Sequence, residues 1–208
     1  MKEVKFRNPI VHCITNYVTV NDCANAILAT GGSPIMADDP NEVVEITTIS
    51  NSLVINLGTL NENKIIAMVK AGKMANHLNH PIIFDPVGVG ASAFRKEAAK
   101  KLLSEINFTV IRGNISEIKT LAKNFTASSA IDANINDLVT NSNLDETISF
   151  AKKFSQETGA IIAITGEIAD QKIRNQDLGT GSFKVYLIDA LSTITFPKLK
   201  AGVKIELY

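Results

Sequence analysis

Short apolar runs alternate along this chain with longer segments whose apolar residues recur at helical spacing. The short runs are typical of buried strands and the longer segments of helices. The alternation continues to residue 167 and predicts an α/β fold with a mostly parallel central sheet flanked by helices, although the strand order is not predicted. Strands are predicted at 9–14, 33–36, 53–57, 82–84, 108–111 and 160–164, helices from 21, 42, 61 and 145 and between the fourth and fifth strands, and a polar loop at 123–143.

The strands at 82–84 and 108–111 are joined by a predicted helix, and charged residues follow both. Asp85 follows the first strand, Arg112 follows the second, and Glu117 comes shortly after. Ligands in open parallel sheets bind beyond the carboxyl ends of the strands, so these three side chains are predicted to converge. Two carboxylates can hold Mg²⁺ and a guanidinium can hold phosphate oxygens, which predicts a site for a metal and a polyanion.

A purely structural interpretation of the same residues is also open. Ser116 can cap a helix with Glu117 in its first turn, Arg112 can pair with a carboxylate, and Asp85 with Pro86 can form a turn. Each feature is common when it occurs singly. Three of them at two successive strand ends favour a ligand site.

Other candidate residues give weaker signals. Thr165 precedes a glycine at a strand end, where a hydroxyl and a close backbone approach suit a nucleotide. Met36 ends a strand, where core packing is the default, although methionine also suits contact with an aromatic ligand. His12 lies within an apolar strand and is interpreted as a hydrogen-bonded core histidine. The sequence contains no Gly-x4-Gly-Lys-Ser/Thr segment, which excludes a P-loop, and the turn that begins with Asp85 is not a dinucleotide fingerprint.

Composition narrows the class of protein. The 208 residues are 45% hydrophobic and 20% charged, which suits a single domain over 1–208 with a substantial core. Lys plus Arg and Asp plus Glu both number 21, so the net charge gives no support to nucleic-acid or membrane-surface binding. Cys13 and Cys23 lack the spacing of a zinc site or a disulfide framework and are expected to be reduced. The lack of a long apolar run and of an apolar leader predicts a cytoplasmic protein.

A series of segments from about Asn8 to Glu167 resembles the motifs of the hydroxyethylthiazole kinase family in unbroken order. That family is ribokinase-like and uses ATP and Mg²⁺ to phosphorylate the alcohol of 4-methyl-5-(2-hydroxyethyl)thiazole in thiamine salvage. The resemblance therefore implies this fold, this activity, ATP and Mg²⁺ as cofactors, and a small thiazole alcohol as substrate. The segments are His12–Val18, Asn21–Asn25, Ser33–Asp38, Asn56–Leu60, Asp85–Gly88, Arg112–Asn114 and Ile164–Glu167.

The resemblance also implies roles for individual residues. In the family, one side chain lies flat against the thiazole ring and others line the same pocket, while acidic residues lie near the metal and phosphates. Members are trimers whose substrate pockets lie between neighbouring subunits, so a homotrimer is expected here. The implied roles are substrate binding for Asn16, Val18 and Met36, ATP binding for Arg112 and Thr165, and metal binding for Asp85 and Glu117.

One part of the family pattern is missing from this sequence. Family members carry a Gly-Thr-Gly-Cys segment whose backbone amides form an anion hole and whose cysteine is the proposed base. In one alignment Ser182 replaces that cysteine and is a weak candidate for a catalytic residue. In the other, Gly179–Leu191 matches the family's C-terminal piece, with a terminal helix over Ser182–Ser192. We favour the second alignment, which implies an internal deletion near Gly166 and a shortened C-terminal part.

Two other functions stay open beside thiazole phosphorylation. Loss of the catalytic segment would favour a non-catalytic trimeric protein that binds a thiazole or a nucleotide. Another small-alcohol kinase of the same superfamily is the second possibility, and the match of Ser33–Asp38 to the thiazole pocket disfavours it.

Overall fold

The computed structural model describes residues 2–125, 144–167 and 183–188 of the chain. The predicted alternation of strands and helices is confirmed there, with the addition of an N-terminal helix and of one further strand. Strands are β1 (Ile10–Ile14), β2 (Ser33–Met36), β3 (Ser52–Asn56), β4 (Ile82–Asp85), β5 (Val110–Asn114), β6 (Ile161–Glu167) and β7 (Phe183–Ile188), and helices are α1 (Lys2–Arg7), α2 (Val20–Thr30), α3 (Val43–Ile49), α4 (Glu62–His77), α5 (Ala93–Glu105), α6 (Ile115–Phe125) and α7 (Leu144–Thr158), with a 3-10 turn at Val89–Ala91.

These strands form one sheet in the order β2-β1-β3-β4-β5-β6-β7. Strands β1 to β6 are parallel and β7 is antiparallel to β6, so the predicted mostly parallel sheet is confirmed. The connection from β1 to β2 and the connection from β2 to β3 run in opposite directions across the sheet. Right-handed crossovers then place α2 on one face and α3 on the other. The carboxyl ends of β1 and β3 form the switch point at which such sheets bind ligands.

Strand β5 begins later and ends later than the sequence predicts. Phe108 was expected in the strand, but it lies before it, where its ring stacks on Phe84 with centroids 4.6 Å apart. At the other end, Arg112 and Asn114 continue the ladder beside Ala163 and Thr165 of β6. Arg112 therefore lies within a strand, which holds its backbone more rigidly than a turn would.

The expected helix over Ser182–Ser192 is wrong for the part that the structure describes. Phe183–Ile188 is strand β7, which pairs with β6 from Glu167 back to Ile162. Phenylalanine, valine, tyrosine and isoleucine favour extended backbone, and the edge of β6 offers unpaired backbone groups. The helix was expected from the resemblance to the family, which took no account of this pairing with β6.

The core lies on one face of the sheet. Alternate residues of β3 and β4, such as Leu53, Ile55 and Phe84, are fully buried in one cluster with residues of α4, α5 and α6. The residues between them, such as Val54 and Ile83, point to the other face and are partly exposed, with Ile83 at 38%. Burial of each large apolar side chain contributes roughly 1.5–3 kcal/mol. Stability is therefore concentrated on the helix-covered face.

Helix α2 differs from the helices that cover this core. None of its residues is buried, and Leu28 on it is 57% exposed. Phe6 of α1 and Tyr17 and Val18 before α2 are also large apolar or aromatic side chains that are exposed. Among the described helices, none has the length and apolar character needed to cross a membrane.

Candidate functional site

Asp85 is the last residue of β4, and Arg112 lies beside it within β5. Phe84 and Ile111 are partners in the ladder, which makes the next residue of each strand a neighbour of the other. The Nη1 atom of Arg112 donates to Oδ2 of Asp85 at 3.1 Å. The Asp85 side chain is 17% exposed and that of Arg112 is 49% exposed. The predicted pair is thus brought together, with the carboxylate inside and the guanidinium at the surface.

Asp85 holds an incomplete set of hydrogen bonds. Its Oδ1 is buried and has no hydrogen-bond partner among the described residues. Burial raises the pKa of this carboxyl group, the charge of Arg112 opposes that rise, and the charge of Glu117 adds to it. A buried oxygen that lacks a donor is costly for the fold. It is also an available ligand for a hard cation.

Glu117 has a structural role as well as a place near Asp85. Its Oε2 accepts from the backbone N–H of Asn114 at 2.9 Å, and Asn114 Oδ1 accepts from the N–H of Glu117 at 2.8 Å. This reciprocal pair is a capping box at the start of α6. Asn114, and not Ser116, therefore caps the helix. The other oxygen, Oε1, accepts from the N–H of Gly88 at 3.0 Å and ties α6 to the turn after β4.

Thr165 lies at the same edge of the sheet as Asp85. It is the ladder partner of Asn114, and its side chain is half-buried. Strand β5 separates it from β4, so Asp85, Arg112 and Thr165 lie on three adjacent strands, and Glu117 follows the middle strand in the first turn of α6.

Asn16, Val18 and Met36 lie at the opposite end of this edge, around β1 and β2. Asn16 is buried, and its Oδ1 accepts from the backbone N–H groups of Val18 and Thr19, both at 3.0 Å. Val18 is 82% exposed, and Met36 is half-buried beside Cys13 in the ladder. The residues predicted to bind substrate thus lie around β1 and β2, and β3 separates these strands from Asp85 on β4.

Two residues between these groups have no role assigned from the sequence. Asn56 ends β3, is 7% exposed, and accepts through Oδ1 from Asn16 Nδ2 at 3.1 Å. Lys64 of α4 is only 2% exposed, which is unusual for lysine. The sequence carried a signal for Lys64, because its helical spacing from Met68 places it on the buried stripe of α4. Asn56 belongs to one of the motifs that carry the resemblance, but its position alone gives no role.

Lys64 contacts the loop between β1 and α2. Its Nζ donates to the carbonyl oxygen of Thr15 at 2.8 Å and lies 3.3 Å from Asp38 Oδ2. The same ammonium lies 4.0 Å from the centroid of the Tyr17 ring, and the Tyr17 hydroxyl donates to Asp38 at 3.1 Å. The buried cation therefore fixes the loop that carries Asn16.

His12 is a hydrogen-bonded core histidine, as the sequence predicts. It is fully buried, with Nε2 at 2.8 Å from the carbonyl of Ala37 and Nδ1 at 2.9 Å from Thr47 Oγ1. Burial lowers the pKa of the ring and favours the neutral form. A carbonyl only accepts, so Nε2 carries the proton of the neutral ring, and Nδ1 shares the single hydroxyl proton of Thr47 with the carbonyl oxygen of Val43, which lies 2.7 Å from Thr47 Oγ1.

Both cysteines are free thiols, as the sequence predicts. Burial raises the pKa of the Cys13 thiol to about 12, which makes it an unreactive interior residue. Ser182, the weak candidate for a catalytic residue, lies outside the described residues.

Comparison with known proteins identifies the family. The model of the hydroxyethylthiazole kinase family matches residues 1–172. A hydroxyethylthiazole kinase from Clostridium acetobutylicum is 62% identical over 168 residues, which are 81% of this chain and 62% of that protein. Another, from Alkaliphilus metalliredigens, is 42% identical over 213 residues and covers 98% of this chain and 77% of that protein.

A solved structure of a hydroxyethylthiazole kinase protein from Pyrococcus horikoshii OT3 matches with a TM-score of 0.68 at 36% identity. The match covers 79% of this chain and 58% of that one, and it confirms the predicted ribokinase-like α/β fold. The chain spans 62%, 59% and 58% of the length of the first curated relatives. By its match to the family model and its identity to these relatives, the chain belongs to the hydroxyethylthiazole kinase family.

Proposed function

We propose that this chain acts as a hydroxyethylthiazole kinase in thiamine salvage. It would bind 4-methyl-5-(2-hydroxyethyl)thiazole and Mg·ATP and transfer the terminal phosphoryl group to the alcohol oxygen, with release of the alcohol proton. The observation that supports this proposal is the placement of two chemically different groups of residues on either side of the switch point. Phosphoryl transfer depends on positioning and charge neutralisation, which suits a site of charged and hydrogen-bonding side chains.

Mg²⁺ and ATP fit the acidic end of the site. Asp85 Oδ1 is buried without a partner among the described residues, and a cation would complete it. Magnesium is usually held by one or two carboxylates together with phosphates and water. Asp85 and Glu117 would supply the two carboxylates, and the part of the chain that the structure describes has no group of three or more metal-binding side chains. When bound, Mg·ATP supplies the phosphoryl group, and Arg112 and Thr165 would contact its phosphate oxygens.

The thiazole end of the site is more apolar. Met36 offers a polarisable side chain for the face of the ring. Asn16 fixes the turn that presents Val18, through the two backbone hydrogen bonds described above. With 82% of its surface exposed, Val18 has room for a contact from another molecule.

A homotrimer would supply that contact. Helix α2 has no buried residue, and Phe6, Tyr17 and Leu28 are exposed in the same part of the chain. Exposed groups of large apolar side chains mark interaction surfaces. We propose that a second copy of the chain covers them and completes the thiazole pocket. The molar mass from light scattering tests this point. A monomer whose thiazole affinity does not change with protein concentration contradicts it.

Turnover depends on the segment that differs from the family pattern. Removing one donor from an anion hole costs about 10²–10³-fold in rate, and losing a general base costs roughly 10²–10⁴-fold. An unactivated serine hydroxyl is a poorer base than a thiolate. We therefore propose that the chain binds its ligands and turns over slowly.

Sequencing the transcript across codons 160–185 tests the proposed internal deletion.

Formation of thiazole phosphate from Mg·ATP tests the activity. We expect slow product formation that Asp85→Asn abolishes. No product together with no thiazole binding contradicts the proposed function. A rate within about 1–10³ s⁻¹ that Ser182→Ala abolishes would instead show that Ser182 occupies a working anion hole.

Met36→Ala tests the thiazole pocket. We expect thiazole binding to weaken by about 1–3 kcal/mol, the scale of one lost apolar contact. Met74→Ala is the matched control, because Met74 is half-buried on α4 away from β2. Equal losses in the two variants would remove Met36 from the pocket.

A further inference from the structure

The end of β3 lies between the two groups of proposed site residues and contacts both. On the side of the thiazole loop, Asn56 Oδ1 accepts from Asn16 Nδ2 at 3.1 Å, and Thr59 Oγ1 accepts from the N–H of Tyr17 at 3.2 Å. On the acidic side, Asn56 is the ladder partner of Asp85. One strand end thus touches the thiazole loop and the residue proposed to hold metal.

Backbone contacts fasten this strand end to the turn after β4. The N–H of Leu57 donates to the carbonyl of Asp85 at 3.0 Å. Arg95 Nη1 donates to the carbonyl of Leu57 at 2.6 Å and to that of Val87 at 2.9 Å. The guanidinium bridges the ends of β3 and β4, so displacement of one end displaces the other.

Asn56 is the buried amide at the centre of these contacts. Its Oδ1 accepts from Gly58 N–H at 2.8 Å in addition to Asn16. Asn16 in turn holds the N–H groups of Val18 and Thr19. An unbroken series of hydrogen bonds therefore runs from the strand beside Asp85 to the turn that presents Val18. Buried networks whose members are satisfied are rigid.

The backbone at Gly58 and Thr59 is specialised for this contact. A Cβ atom at Gly58 would lie 2.4 Å from Cβ of Asn16, so no other residue permits the loop to approach so closely. Thr59 has φ of +45°, a region that a β-branched residue occupies at a cost of about 1–3 kcal/mol. Strain of this size persists where the surroundings fix the backbone, and it is concentrated at functional sites.

We propose that Asn56 is a positioning residue that sets the thiazole loop relative to Asp85 and thereby couples thiazole binding to nucleotide binding. The inference rests on the proposed function. Asn56 acts through Asn16 on one side and through the strand ladder on the other. A rigid network transmits a displacement from one end to the other, so a ligand that sets one end favours the arrangement that the second ligand needs, which is positive coupling. Accurate relative placement matters because an error of about 1 Å between reacting groups can cost about 10²-fold in rate.

Calorimetric titration of the full chain tests this role. The probe is 4-methyl-5-(2-hydroxyethyl)thiazole, titrated with and without saturating Mg²⁺ and a non-hydrolysable ATP analogue. In the unsubstituted chain we expect thiazole to bind at least about 5-fold more tightly when the analogue is present. In Asn56→Ala we expect that ratio to fall close to one.

Two further variants separate positioning from a general loss of structure. Asn56→Leu has nearly the same side-chain volume and removes the acceptor for Asn16 and Gly58, so it replaces Asn56→Ala if that variant does not fold. Asn76→Ala is the control, because the Asn76 side chain makes two hydrogen bonds of 2.8 Å to the backbone of Asn107, on a part of α4 away from β3. We expect coupling to be lost in both Asn56 variants and kept in the control.

The possible outcomes are distinct. Coupling that persists in Asn56→Ala and Asn56→Leu overturns the inference, and so does an unsubstituted chain that binds both ligands without coupling. An unsubstituted chain that binds neither ligand shows instead that the proposed function has failed, and the inference falls with it.

Discussion

Arg112 donates to Asp85 across 3.1 Å, so the residue proposed for phosphate and the residue proposed for metal form an ion pair with each other. The pair is asymmetric, because Arg112 is half exposed whereas Asp85 is mostly buried. A long, exposed side chain can move at little cost, and ion pairs with an exposed partner contribute little stability. Arg112 is therefore free to turn toward a polyanion while Asp85 turns its charge to a cation.

Asp85→Asn should remove the dependence of nucleotide binding on Mg²⁺. The amide keeps an oxygen for Arg112 but carries no charge to attract the cation. Titration of an ATP analogue at several Mg²⁺ concentrations checks this, with Asp145→Asn, an exposed residue of α7, as the control. Nucleotide binding that still depends on Mg²⁺ in Asp85→Asn would show that Asp85 does not hold the metal and has a structural role.

The same variant should not weaken the ligand-free fold. Burial raises the pKa of Asp85, so its stabilising contribution is present at low pH and is lost as pH rises through the folded-state pKa. At neutral pH the buried, ionised carboxylate destabilises the fold. We therefore expect chemical denaturation to give Asp85→Asn an unfolding free energy no lower than that of the unsubstituted chain.

Arg112→Ala should weaken nucleotide binding whether or not metal is present. Loss of a charged hydrogen bond to phosphate predicts a decrease of about 1.5–3 kcal/mol. Lys100→Ala on α5 removes an equal charge from an exposed position and should leave the affinity unchanged. Equal affinities for Arg112→Ala and Lys100→Ala, by calorimetry, would contradict a phosphate contact.

His12 should make the fold sensitive to acid. Its folded-state pKa is lowered below the ordinary 6.5, so its contribution is complete above about pH 6.5 and is lost as pH falls toward the folded-state pKa. Urea unfolding between pH 7.5 and 5 checks the slope. His12→Gln should cost roughly 1–3 kcal/mol at pH 7.5 and flatten that slope, whereas His77→Gln, at an exposed position, should do neither.

Lys64→Met should destabilise the chain by about 1–3 kcal/mol, because the carbonyl of Thr15 loses its donor and Asp38 loses a cation. Thiazole affinity should fall as well, since the loop that carries Asn16 loses its support. The control is Lys70→Met on the same helix, where an exposed ammonium bonds the carbonyl of Pro40 at 3.0 Å. Thermal and chemical unfolding that do not distinguish the two variants would contradict the role of Lys64.

The strands and the contact between Asp85 and Arg112 were predictable for a physical reason. Parallel strands that are buried by helices give continuous apolar runs, and their carboxyl ends share one edge, so Asp85 and Arg112 were expected to meet. The limits of β5 were missed because Phe108 is apolar and Arg112 is charged, whereas the ladder to β6 decides where the strand runs. β7 was missed because the resemblance to a terminal helix of the family outweighed its strand-forming residues, whereas pairing with the edge of β6 decides its conformation.

The contacts at the switch point could not be read from sequence patterns. Asn16 and Asn56 are 40 residues apart, and a hydrogen bond between two amide side chains leaves no periodic trace in either segment. The helix cap was placed at Ser116 because serine is a common cap, but the glutamate three residues after Asn114 makes Asn114 the member of a capping box. Lys64 was hidden because lysine is rarely buried.

The reversal of strand order at β1 has a consequence for how the chain is made. β1 pairs with both β2 and β3, and each later strand up to β6 joins the edge left by its predecessor. The sheet therefore grows outward from β1 in the direction of synthesis, and each new strand pairs with one that has already been made. On the ribosome the contact between Asn16 and Asn56 can form before β5 has emerged, so the end of the edge proposed for thiazole is built first and the end proposed for phosphate is assembled against it.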